Sequence, residues 1–322
     1  MLDLITIGDS TFDTFLILEQ HKKTCELSTN KKKICFNYAE KTPIENTAQS
    51  VGGNAANVAV GVRKFGAQTA IVTELGDDIN GHIIEEELIK AKVETTFVKK
   101  VKNEQTRYSV VLNYCGERTI LSYYAKRNYS LPKLPTSKWI YYTSLGKSFE
   151  KLQTQLEKYL DKNKETKLAL NPGSYQINKG INHIKKILPK VEILFVNKEE
   201  ACKLVDKKET PKKLLSSLHT MGAKMVVITD NTNGSYAFDG KHKYFMPIYQ
   251  VDMIAMTGAG DAYTSGFLSA ILSGKHFAEA MTWGNANASS VIQKFGSQKG
   301  LLNKQQLHKI LKENEKIQPQ KL

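Results

Sequence analysis

The sequence predicts an α/β protein with a mostly parallel central sheet, and three observations carry that prediction. After Pro135, short apolar runs alternate with helical periodicity, the order that builds a parallel sheet with helices on both faces. Glycine and polar clusters recur where the apolar runs stop, at the edge where such sheets bind ligands. Two strand-rich stretches, about 13–50 and 95–130, interrupt the alternation and can pair as one small sheet projecting from the core.

Taken in order, Leu4 to Gly8 reads as a short buried strand ending in a glycine, followed by the apolar Phe12 to Leu18. From Glu19 to Glu45 the chain is polar, lysine-rich and weakly periodic, an excursion of hairpins. Thr47 to Val51 leads into Gly52-Gly53 and a helix, whose stripe of Val58, Val62 and Phe65 is stopped by Gly66. Thr69 to Thr73 is the next strand, Gly76-Asp77-Asp78 a turn, and 80–92 a helix. Tyr108 to Asn113 and Arg118 to Tyr123 flank Tyr114-Cys115-Gly116-Glu117 as a hairpin. Strands at 139–143, 168–170, 193–196 and 225–229 then alternate with helices at about 149–162, 178–188, 198–204 and 212–221. Two helices, about 260–273 and 277–295, and a polar tail from about Glu313 close the chain.

A chain of 322 residues buries one large core, or one core with a small accessory domain. Its 41% hydrophobic and 24% charged residues are ordinary for a soluble globular protein. No apolar run reaches the roughly 18 residues needed to span a bilayer. Met1 to Gly8 has neither a basic leader nor a long apolar stretch, so a cytoplasmic protein without membrane partners is expected. Cys25, Cys35, Cys115 and Cys202 are too scattered for a disulfide framework and read as free thiols. Cys25 and Cys35 are too far apart for a metal knuckle. The net charge of +14 invites a nucleic-acid reading, but the lysines are spread, with short clusters at Lys31-Lys32-Lys33 and Lys185-Lys186. No DNA- or RNA-binding signature accompanies them, so a general cationic surface and no nucleic-acid partner are expected.

Four segments can carry chemistry. Thr257-Gly258-Ala259-Gly260-Asp261 opens an apolar helical run, and small residues there let the unpaired amides of a first turn approach an anion. Asp261 then fits either a first-turn acid favoured by the helix dipole or a general base beside an anion hole. Gly52-Gly53-Asn54-Ala55-Ala56-Asn57 fits either a tight turn with a cap or a close backbone approach to a polyol, with Asn54 and Asn57 bonding hydroxyls. Asn197-Lys198-Glu199-Glu200 fits a helix start with favourable carboxylates, or a site where Glu200 holds Mg²⁺ through its water shell. Thr229 to Gly234 is a polar turn, or a loop walling a nucleotide. Neither a Rossmann glycine fingerprint nor a Walker A motif is present.

In this order, with Gly66-Ala67, Gly76 to Gly81, Gly116-Glu117-Arg118-Thr119 and Phe295-Gly296-Ser297-Gln298 between and after them, these segments resemble the ribokinase-type (PfkB) family of carbohydrate kinases. The resemblance covers nearly the whole chain. It implies a three-layer ribokinase-like sandwich, with a core at 1–12, 51–94 and 131–322 and a discontinuous β lid at 13–50 and 95–130. It further implies transfer of the γ-phosphoryl group of ATP to a hydroxyl of a small sugar. Residue by residue, Asp261 matches the family's catalytic base, and Gly258, Ala259 and Gly260 its anion hole. Asp13, Gly53, Asn54 and Asn57 match the acceptor site. Asn197 and Glu200 match the Asn-x-x-Glu motif associated with phosphate and Mg²⁺. Thr229, Asn231, Gly234 and Asn285 match the nucleotide site.

The sequence departs from the family at Ala255-Met256, where Asp-Thr is usual. That Asp often helps hold a monovalent cation, so the resemblance does not carry K⁺ activation with it. Asp252 lies three residues too early to replace it. Asn54 stands where ribokinases often have Lys, which argues against naming ribose. A nucleoside kinase of the same fold is the alternative, its base cradled by Tyr108, Tyr123, Tyr124 and Phe36 of the lid. A catalytically silent sugar- or nucleotide-binding regulator is the alternative from another class. A lid edge that pairs with a second copy would make a homodimer.

Overall fold

The structure, a computed structural model, describes residues 1–19, 25–28, 33–114 and 117–322. Of the features expected above, Cys115 and Gly116 of the hairpin turn, and Lys31 and Lys32, lie outside the described residues. Cys35 and Cys202 are free thiols.

The large sheet begins with β1 (Leu2–Ile7), whose neighbours are both parallel to it. On one side lie β6 (Thr69–Gly76) and β7 (Val98–Val101). On the other lie β10 (Ser137–Tyr142), β11 (Lys167–Leu170), β12 (Val191–Asn197) and β13 (Met225–Thr229), all parallel. Three antiparallel strands, β14 (Ser235–Phe238), β15 (Lys243–Met246) and β16 (Gln320–Lys321), extend that edge.

Alternating side chains of this sheet feed two layers. Ile140, Tyr142, Leu194 and Val196 face α3 (Phe149–Lys162), α4 (Ser174–Ile187), α5 (Lys198–Val205) and α6 (Pro211–Thr220). Trp139, Tyr141, Ile193 and Phe195 face α1 (Asn54–Lys64), α7 (Ala259–Leu272), α8 (Phe277–Val291) and α9 (Lys304–Glu313). Helix α2 (Ile79–Lys90) packs beside α1 through Ile84 and Leu88. The period-2 burial of the strands therefore makes a three-layer sandwich.

A second sheet has the order β5-β2-β8-β9, from β2 (Thr11–Leu18), β5 (Ile44–Gly52), β8 (Tyr108–Tyr114) and β9 (Glu117–Tyr123). The two-stranded ribbon β3 (Cys25–Leu27) and β4 (Ile34–Phe36) packs Cys25 and Ile34 against Leu16, Leu18, Val110 and Leu112. Those even-numbered positions lie opposite Asp13, Ser109 and Val111, which face a cavity between this sheet and the core. The ribbon thus covers the back of the lid.

Three expectations need correction. Val98–Val101, inside the stretch assigned to the lid, pairs with β6 in the large sheet. The strands β14 and β15 after Thr229 carry no strict alternation of apolar residues and were not anticipated. The C-terminal part holds a third helix, α9, where two were expected. Its N-terminus is closed by Asn303, whose side chain accepts from Gln306 N at 2.9 Å while Gln306 caps Asn303 N in return.

Candidate active site

The site is organised by the start of α7. Gly258 caps the helix at φ 83, a conformation L side chains avoid, and a Cβ there would lie 2.5 Å from the Cβ of Ser297. The absence of a side chain lets the 295–298 loop close over the first turn, whose amides have no partner inside the helix. Asp261 is the third residue of that turn, and its Oδ2 accepts from Asn57 Nδ2 at 2.8 Å. Burial pushes its carboxyl up to about 6; the Asn57 bond pulls it down, and the charge of Asp13 adds to the rise.

On one side of Asp261 lies a cavity of about 280 Å³, bounded by the lid, the turn before α1 and the start of α7. Gly53 holds φ 91 in that turn, and a Cβ there would lie 2.5 Å from the Asp9 carbonyl, so the backbone passes directly over the end of β1. Asn54 Nδ2 donates to Asn171 Oδ1 at 3.3 Å, and Asn171 Nδ2 donates to the Phe195 carbonyl at 2.8 Å. Asp13 is buried on the inner lid face, bonded by Thr11 and Ser109, and burial holds its carboxyl above the usual range. Deeper in, Asp9 pairs with Arg107 and accepts from Tyr129 Oη at 3.0 Å. The Arg107 guanidinium lies 4.1 Å from the centre of the Tyr124 ring.

A second cavity, about 200 Å³, continues past Asp261 between Glu200, Asn197 and the first turn of α7. Asn197 and Glu200 form a reciprocal cap: Asn197 Oδ1 accepts from Glu200 N at 2.8 Å, and Glu200 Oε2 accepts from Asn197 N at 2.9 Å. Burial pushes Glu200 up to about 7, the Asn197 amide opposing it. A third cavity, about 240 Å³, is walled by Tyr249, Val251, Met253 and Ile292 and opens onto Thr229, Asn231, Gly234 and Asn285. The amide of Asn285 donates to the Pro247 carbonyl at 2.9 Å, pinning α8 to that wall.

The three spaces share the first turn of α7. Gly258 and Asp261 line the first and second, and Ala259 and Gly260 the second and third. Each candidate residue from the sequence opens into at least one of them. Two differ in detail from expectation: Asn197 has its side-chain oxygen committed to capping α5, and the amide of Asn57 bonds Asp261. Tyr108 and Tyr123 pack against one another with tilted rings, their centres 5.6 Å apart, and, with Phe36, do not line the first cavity; Tyr124 does.

Sequence reasoning missed Asp9, Arg107, Asn171 and Ser297. Asp9 lies within Gly8–Asp13 and Asn171 opens Asn171-Pro-Gly173, both at strand ends, so position is the available signal for those two. Arg107 stands in an irregular segment with no local signature.

The sequence profile of the pfkB family carbohydrate kinases matches residues 22–304. The chain belongs to the pfkB family of carbohydrate kinases. Within that family it is 24% identical over 303 residues to a cytidine kinase of Thermococcus kodakarensis, covering 92% of this chain and 98% of the relative. It is 24% identical over 272 residues to a ribokinase of Haemophilus influenzae, covering 81% and 87%. Arabidopsis thaliana ribokinase, solved with ribose and ATP, shares the fold with a TM-score of 0.77 and 22% identity over 97% of this chain and 99% of that one. This pfkB protein is accordingly a phosphotransferase.

Among the described residues no helix is long and apolar enough to cross a membrane, and no group of three or more His, Cys, Asp or Glu side chains gathers to hold a metal ion. Glu200 is a hard oxygen donor at the second cavity, raised by burial and so favoured in its charged form by an arriving cation. That donor set fits Mg²⁺, which keeps most of its water and takes few protein ligands.

The raised carboxyl of Glu200 has a measurable consequence. A folded-state value above the ordinary 4.5 means its contribution to stability is full below that value and is lost as pH rises through about 7. Glu200→Gln keeps an oxygen for the Asn197 amide and removes the charge. Without divalent cations it should melt higher than the parent at pH 8, by on the order of 1 kcal/mol, with the difference vanishing near pH 4. Thermal unfolding across pH checks this.

Proposed function

We propose that the protein transfers the γ-phosphoryl group of ATP to a hydroxyl of a small sugar, with Asp261 as the base. The observation that carries this is the meeting of three cavities at one helix turn, with the half-buried carboxylate of Asp261 at the junction. The apolar-walled third cavity suits an adenine, with Thr229, Asn231, Gly234 and Asn285 around it. The second suits the phosphates, beside Asn197 and Glu200. The first suits the acceptor, with Asp13, Gly53 and Asn54 toward its hydroxyls.

In the transfer, Asp261 takes the acceptor's hydroxyl proton as the oxygen attacks the γ-phosphorus and the bond to the β-phosphate oxygen breaks, leaving ADP. The first-turn amides at Gly258, Ala259 and Gly260, of which that of Ala259 also donates to the Met256 carbonyl at 3.3 Å, face the oxygens on which charge develops. Mg²⁺, held at Glu200 through water, would neutralise phosphate charge. The lid excludes water that would otherwise take the phosphoryl group.

A sugar is favoured over a nucleoside by the walls of the first cavity. They are chiefly polar, and the aromatic ring among them, Tyr124, has the Arg107 guanidinium against its face. Little flat apolar surface is left to cradle a base. The cytidine kinase relative is the reason to keep nucleosides in the test.

An acceptor screen coupled to ADP release should find turnover with a sugar. Asp261→Asn should lower kcat by at least ~10²-fold while folding normally, since general bases contribute about 10²–10⁴. Full activity in that variant with each acceptor would overturn the assignment. The acid limb of kcat/KM should fall through about 6, as Asp261 takes a proton.

Turnover should be the same in Na⁺ and K⁺ buffers, because Ala255 is buried where the family usually has Asp, and Asp252 is exposed. A strict K⁺ requirement would show another cation site. We further take a homodimer through the edge strands of the lid as the quaternary state. Sedimentation equilibrium should give twice the chain mass of 36.1 kDa.

A further inference from the structure

We infer that Asn57 positions the base Asp261 and is itself oriented by Ser297 and Gln298, rather than binding the acceptor's hydroxyls. The inference rests on the reading of Asp261 as base given above.

Asn57 lies in the first turn of α1, almost wholly buried at 3% exposure. Its Nδ2 donates to Asp261 Oδ2 at 2.8 Å. Its Oδ1 accepts two bonds, from Ser297 Oγ at 2.9 Å and from Gln298 Nε2 at 3.0 Å. A carboxamide can present oxygen or nitrogen in either direction, and its surroundings decide which. Turned over, Asn57 would aim its oxygen at the Asp261 carboxylate and its NH₂ at the Gln298 donor. Two donors on one side and a carboxylate on the other leave a single satisfied orientation.

That orientation bears on the base in two ways. Asp261 Oδ2 is tied to a donor, which sets the rotation of the carboxylate and leaves the other oxygen to receive a proton. The same bond favours the ionised form in a place where burial opposes it. Asp13, Glu200 and Tyr141 are the other titratable groups whose charges couple to Asp261, and Arg118 also faces the shared space. Asp13, Glu200 and Tyr141 make no hydrogen bond to it in the structure.

Ser297 is also the residue that fills the space left by the missing Cβ of Gly258. The 295–298 loop therefore touches the anion cradle and, through one amide, the base. Asn57, Asp261 and Ser297 come from three distant parts of the chain, with 204 positions between the first two and 240 between Asn57 and Ser297.

The test is the double variant Ser297→Ala with Gln298→Leu, which leaves Asn57 and Asp261 in place, run beside Asn57→Ala and Asp261→Asn. With Mg²⁺, ATP and the best acceptor, kcat at pH 7 should fall at least ~10-fold in the double variant and ~10²-fold in Asn57→Ala. KM for both substrates should stay within about twofold, and the acid limb of the kcat profile should move to higher pH in both. A structural role alone would not move that limb. If the double variant unfolds early, Ser297→Ala alone is measured and should show a smaller shift of the same sign. Parent-like kcat and acid limb, or a raised acceptor KM with kcat retained, overturns the inference. If Asp261→Asn also keeps full activity, the base assignment falls with it; if Asp261→Asn is inactive, only the role of Asn57 falls.

Discussion

A carboxylate taken out of water costs free energy unless a donor accompanies it, and a catalytic base must keep part of itself undonated. Asp261, the proposed base, meets both demands with one side-chain bond, from Asn57, among the described residues. The position of that bond constrains much else. α1 and α7 must lie side by side, the turn before α1 must pass over the end of β1, and the 295–298 loop must close on Gly258. Both helices are buried along most of their lengths, so their relative placement is set by packing on the sheet rather than by contacts at the site.

The two ends of the site differ in chemistry because different layers supply them. The first cavity draws on the inner face of the mixed four-stranded sheet, where alternation brings Asp13, Ser109 and Val111 inward and sends Leu16, Leu18 and Val110 to the back. The third cavity is built from loops at the ends of parallel strands and from α8, so it mixes backbone turns with apolar wall. The proposed transfer point lies where the two meet. Its acids, Asp261 and Glu200, are raised by burial, and each therefore gains when positive charge or a proton approaches.

Local signals made much of this legible. Phe149–Lys162 is a helix with the limits its periodicity predicts, and the parallel strands lie within a few residues of expectation. The segments Gly52 to Asn57 and Thr257 to Asp261 are readable because glycine and small residues at a strand-to-helix change have few other uses. Val98–Val101 escaped because it is a four-residue edge strand, Val-Lys-Lys-Val, with no alternation and little burial. Helix α9 escaped because its apolar residues, Leu307, Ile310 and Leu311, are set in a lysine-rich run that resembles a solvated tail.

By itself the sequence determined the layer order, the strand ends where ligands sit, and Asp261 as either a cap or a base. These follow from periodicity and turn chemistry, which act over a few residues. Only the tertiary structure decided that Asn57 faces Asp261, that Asn197 caps its own helix, that Arg107 covers the face of Tyr124, and that the β3–β4 ribbon lies behind the lid. Each of these depends on the direction of a side chain relative to a partner far away in the chain or on competition between a local and a distant bond. Neither leaves a trace in spacing.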